Sequence, residues 1–215
     1  MDSKKSLLLL ALVAMLSLTG SDCSLVISSG GGSSDRDKNK DPDAGIGIQS
    51  GQFIDAPVSG IRYVSVPVTG VTGNRGEFQY PAGETVHFFI GDIALGKAVR
   101  GKAIITPLDL VPDGSLDTPA VINIARLLQS LDAKPGDGRI TIPPGVQADA
   151  VHANNSLTTA IRYLDFGDET AFVNAAAELI AVLTAGYPFT AVLVDADSAQ
   201  RHLTESLGNA GIVLP

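Results

Sequence analysis

Asp132 and Asp137 flank Gly136 in a turn-rich run and offer carboxylate oxygens of the kind a hard cation such as calcium takes, six to eight at a time. Two carboxylates with Lys134 between them fall short of a twelve-residue calcium loop, so a helix end followed by a turn is the simpler account. Gly91-Asp92-Ile93-Ala94-Leu95-Gly96-Lys97-Ala98 imitates a phosphate loop. That chemistry needs a serine or threonine oxygen for magnesium where Ala98 stands, and a following helix where Val99 to Ile105 reads as strand. Gly45 to Gly51 misses the dinucleotide fingerprint by one residue and reads as linker. His87, His152 and His202 show no metal-ligand spacing, and His202, beside Leu203 on a helix, reads as a boundary residue. Asp165, Asp168 and Glu169 precede an Ala-rich helix, where carboxylates favour the positive end of the helix dipole. There is no Gly-x-Ser-x-Gly elbow, and Cys23, the single cysteine, has no base near it in sequence. No catalytic residue is assigned and no cofactor is expected beyond calcium at Asp132 and Asp137.

The elements that would hold these residues are legible from pattern. Lys4 and Lys5 precede the apolar run Leu7 to Leu16, which exits through small residues. This is a secretory signal, too short to span a membrane. Ser28 to Ser34 and the alternating acids and bases of Asp35 to Asp43 bury nothing apolar. They read as a tether of about 25 residues, reaching about 30 Å by random-coil scaling. Gly51 to Thr106 alternates short β-branched and aromatic runs with glycine turns, the grammar of a small antiparallel sandwich. From Asp117 the period turns helical. Thr118 or Asp117 caps, Pro119 opens, and Val121, Ile124, Leu128 and Leu131 share a face. Gly138 to Pro143 reads as a short strand; Ser156 to Leu164 and Asp168 to Ala185 read as helices, and so does Asp197 to Leu207, with Asp197 as cap. The apolar stripe from Phe172 to Leu183 is expected to face the core. The expected fold class is α+β, a small antiparallel β-sandwich followed by a helical region. Residues 1–21 are signal peptide, 22–50 flexible linker, 51–110 β-sandwich and 111–215 a mainly helical subdomain.

Composition narrows the function. A net charge of -8 argues against nucleic acid, which is met by a basic stripe. One cysteine allows no intrachain disulfide in an oxidising compartment, so the fold stands on a core of Val, Ile, Leu and Ala.

Three resemblances add to this. Leu18-Thr19-Gly20 resembles the end of a bacterial lipoprotein signal, in which a cysteine follows and is lipidated. Here Ser21 stands at that position and Cys23 comes two residues later, so lipidation at Cys23 and ordinary cleavage after Ser21 both stand as readings. Pro57-Val58-Ser59-Gly60-Ile61, Thr72-Gly73-Asn74-Arg75-Gly76-Glu77-Phe78 and Ala82-Gly83-Glu84 resemble the carboxypeptidase-regulatory-like, transthyretin-type sandwich. Over residues 51–207, the runs Gly51 to Gly60, Phe89 to Gly96, Ile105 to Leu110 and Val121 to Asp132 are similar to proteobacterial exported lipoproteins of unassigned activity. In such relatives an acid-rich Asp-x-Asp-Gly segment follows Leu131-Asp132, and here it holds fewer acids and a lysine. The resemblance implies an envelope or surface role and nothing catalytic. The expectation is therefore a non-enzymatic, exported, adhesin-like binding module, in the periplasm, at the outer membrane or outside the cell. Its partner would be a surface ligand or envelope protein, and it would touch membrane only through a lipid anchor. The alternatives are an accessory domain of a secreted enzyme and a divergent hydrolase.

Overall fold

Inward and outward side chains alternate along the strands of the first half, and this alternation builds two facing sheets. In the computed structural model, residues 47–151, 161, 164–189 and 191–213 are described. The signal, Cys23, His152 and most of the expected helix 156–164 lie outside them. The first strand, β1 (Ile48–Phe53), begins three residues inside the segment read as linker. It lies between β5 (Glu77–Pro81), antiparallel, and β9 (Ile104–Ile105), parallel. The second sheet runs in the order β4 (Val68–Val71), β3 (Arg62–Ser65), β6 (Thr85–Ile90), β7 (Ile93–Ala94), with β8 (Val99–Arg100) also on β6. Phe78 and Tyr80 point inward from β5, and Val86, Phe88 and Ile90 from β6. Phe88 meets Phe53 and Phe78 edge-on, with ring centroids 4.8 and 5.2 Å apart, so the sheets are joined through aromatic contacts.

The second half folds onto this sandwich. A 3-10 turn (Pro107–Leu110) leads to α1 (Pro119–Ser130), with Thr118 at the N-cap and Pro119 at the first helical position, as the spacing predicts. The chain continues through β10 (Ile140–Thr141), α2 (Pro144–Asp149), α3 (Glu169–Thr184) and α4 (Ala196–Asn209). The α+β class holds, with strands first and helices after. The last helix starts earlier than its sequence suggests. Asp195, not Asp197, accepts the Ser198 amide as its cap, which holds its carboxyl below the usual range, and Gly208 lies inside the helix.

One core serves both halves. Ile124, Leu127 and Leu128 of α1 and Phe172, Leu179 and Leu183 of α3 belong to the same buried cluster as Phe53, Phe78 and Phe88. The opposite side of α1, through Val121 and Ala125, packs on Ala199, Leu203 and Leu207 of α4. Strand β10 pairs in parallel with β2 (Val58–Ser59), so the helical half contributes a strand beside the sandwich. Gly60, at φ +91°, is required there, because a Cβ would run into the Ile142 carbonyl oxygen.

Candidate binding site at the Asp55–His202 pair

Asp55 sits in the tight turn that joins β1 to β2, closed by a bridge between Ile54 and Pro57. The turn places Ala56 at φ +53°, a region that a side chain normally avoids. Tertiary bonds hold it: the Ile54 amide donates to Ile105, and the Ile140 amide donates to Pro57. The Asp55 side chain is wholly buried. Gln129, near the end of α1, donates its Nε2 to both carboxylate oxygens at 3.2 and 3.1 Å. His202, midway along α4, brings Nδ1 to 3.1 Å from Oδ1.

The approach of α4 is set by a second buried polar group. Arg126 of α1 donates its Nε to the Val194 carbonyl at 2.7 Å, and Ser130 Oγ accepts the Val194 amide at 2.9 Å. Both backbone groups of one residue just ahead of α4 are thus tied to α1. Arg126 also donates to Asn123 and to Glu169, and stacks over Phe172.

The charges at the pair are shaped by burial and by each other. Burial pushes the Asp55 carboxyl above its ordinary value, opposed by the hydrogen bonds from His202 and Gln129. The hydrogen bond to Asp55 raises the His202 imidazole, against its partial burial, and the nearby charges of Glu205 and Asp132 add to the rise. With Asp55 on Nδ1, the ring is oriented by a carboxylate that solvent does not reach.

His202 lies between two clefts. One, of about 390 Å³, has an apolar floor of Ile54, Pro57 and Ile104 and a wall that includes Gln52, Glu205 and Asn209. The other, of about 410 Å³, lies toward Asp132, Arg139 and Val194. Gly138 and His202 line both. A larger cleft of about 660 Å³, between Ile93, Leu110, Ile124 and Phe166, shares no lining residue with them. Its charged lining residues, Asp92, Lys97 and Asp165, are exposed, and none of its described lining residues is a buried titratable group, so the pair at Asp55 is the more informative site.

The residues singled out in the sequence take other places. Asp132 Oδ1 accepts the amides of Lys134 and Thr141, both at 3.0 Å. Asp137 accepts the Arg139 amide and pairs with its guanidinium at 3.2 Å. Each carboxylate serves its own turn, and among the described residues no three His, Cys, Asp or Glu side chains are grouped to hold a metal. The Gly91 to Lys97 run is the β6–β7 hairpin, against which His87 Nε2 meets the Gly96 carbonyl at 3.0 Å. Asp168 caps α3, Glu169 meets Arg126, and Asp165 accepts the Gly167 amide. The stripe from Phe172 to Leu183 faces the core. The signal for the missed site was a lone aspartate between apolar residues in Phe53-Ile54-Asp55-Ala56-Pro57, whose partner is 147 positions away. No family model matches this chain, and no curated protein or solved structure does.

Proposed function

We propose that this chain is an exported, tethered binding module, without catalysis of its own, that takes a surface ligand or envelope protein in the clefts beside His202. One observation carries the reading: a wholly buried carboxylate fixes the imidazole that lines two neighbouring clefts. The hydrogen bond to Asp55 raises the imidazole and so favours its protonated, donating form, which suits recognition better than proton abstraction. The export signal and the linker-like sequence that precedes β1 support a place in the envelope.

Cell fractionation with mass spectrometry of the mature N-terminus tests the placement. A cytoplasmic chain that keeps its first residues would overturn it. For binding, a photo-crosslinking residue at exposed Asn209, beside the cleft, is compared in the otherwise native chain and in one also carrying Ile104→Trp. A defined envelope adduct that vanishes in the second supports the site; an adduct indifferent to the change, or none, counts against it.

A further inference from the structure

The smaller cleft has the chemistry of a peptide site, and this step rests on the binding reading above. Strand β9 is the outer strand of its sheet, in the order β5-β1-β9. The ladder to β1 uses the Ala103 and Ile105 carbonyls, which accept from Gln52 and Ile54 at 2.9 Å. In a parallel pair the residue between them, Ile104, turns its own N–H and C=O away from β1, to the side on which no described strand pairs with β9. Ile104 lines the cleft, so a strand edge and a cleft coincide.

Charge selects what fits there. Glu205 is an exposed carboxylate on the cleft wall. The nearest cation, His202, is already matched by Asp55 behind it. Of the other cations near the strand, Lys102 is held by Asp109 at 2.6 Å, and Arg139 by Asp137. The floor of Ile54, Pro57 and Ile104 suits a long aliphatic stem that ends in a positive group. Asn209 adds a side-chain amide suited to a peptide main chain, whereas Gln52 Nε2 donates to the Arg75 carbonyl at 3.1 Å. The described lining contains no Trp, Tyr or Phe on which a nucleobase would stack.

We infer that the cleft binds an extended segment of a partner protein, its main chain pairing with Ile104 and a lysine or arginine side chain lying over Ile54 and Pro57 to reach Glu205. Recognition is therefore of the strand-addition type, with one anchoring side chain.

The test uses the full mature chain, labelled for amide NMR, and three capped pentapeptides: Val-Thr-Lys-Thr-Val, its Glu counterpart at the centre, and the Lys form N-methylated along the backbone. The Lys peptide should shift the Ile104, Glu205 and Asn209 amides saturably. The Glu and N-methylated peptides should bind at least fivefold more weakly, and Glu205→Gln should weaken the Lys peptide by a similar factor. Equal response to Lys and Glu peptides, no effect of Glu205→Gln, or shifts confined to another face would overturn the inference. So would shifts at Ile104 that grow with protein concentration alone, which would identify a second copy as the occupant. Loss of the peptide result while the Asn209 adduct persists refutes the ligand class and leaves the binding reading standing. Loss of both refutes both.

Discussion

The Asp55 carboxylate, closed to solvent, lies 3.1 Å from the Nδ1 of a histidine that is 42% exposed. One partner has given up all its hydration and the other has kept much of it. The bond is asymmetric, and the two residues will not respond alike to replacement.

His202→Ala is expected to cost about 2 kcal/mol at neutral pH, because among the described residues it leaves the buried carboxylate with Gln129 alone to answer it. Adding Asp55→Asn should recover part of that loss, since the stranded charge is gone. Urea denaturation of the two single variants and the double variant measures this, and a double variant weaker than His202→Ala alone would contradict it.

Protonation gives the same pair a pH signature. The folded His202 pKa lies above its ordinary 6.5, so its contribution is complete below that value and is lost as pH rises through the raised one. The raised Asp55 carboxyl acts in the same direction, losing stability as pH rises through its own folded value. Melting temperature should therefore decline from pH 6 toward mildly alkaline pH. In Asp55→Asn combined with His202→Gln the decline should flatten; an unchanged slope would place its cause elsewhere.

Arg126 and Glu169 are joined at 2.8 Å but are not equal partners, with side chains 7% and 57% exposed. Arg126→Ala should cost about 3 kcal/mol, since it removes the buried donor to Val194 and Asn123. Glu169→Gln should cost less than about 0.5 kcal/mol, because its end of the pair is in water. Denaturant midpoints decide between this asymmetry and a symmetric ion pair.

Asp132 is expected to behave as a turn residue. Asp132→Ala removes the acceptor of two amides and should cost about 1–2 kcal/mol, by the same amount with and without millimolar calcium. A calcium-dependent rise in the melting temperature of the unaltered chain, abolished by the substitution, would support the cation reading instead.

Two glycines separate close packing from backbone conformation. Both Gly60 and Gly136 lie near φ +90°, but only at Gly60 would a Cβ meet another backbone, the Ile142 carbonyl oxygen. Gly136→Ala should cost about 1 kcal/mol and Gly60→Ala several times more, with β2 and β10 forced apart. Thermal melts rank them, and equal losses would mean that the strand contact is dispensable.

What could be read in advance follows from the range of the forces involved. The alternation at Phe78, Tyr80, Val86 and Phe88 and the Thr118-Pro119 start of α1 are local signals, and each lies where its pattern points. The cap of α4 falls at Asp195 and not at Asp197, although both are able acceptors, because the choice depends on where Val194 is tied by Arg126 and Ser130. The turn at Asp55 and Ala56 runs against local preference and is held by β9 on one side and β10 on the other. The site was hidden for that reason: Asp55 stands out only as a lone acid among apolar residues, and Gln129 and His202 are unremarkable in their own helices.

The parallel pairing of β2 with β10 has a consequence for how the molecule can be divided. A cut between the sandwich and the helices would leave Ile54 in contact with β9 but take from Pro57 and Ser59 the amides that Ile140 and Ile142 donate. It would also leave the Asp55 carboxylate without either side-chain partner. Neither fragment carries a complete turn, so the two halves must be inherited, transplanted and denatured together, as a single cooperative unit.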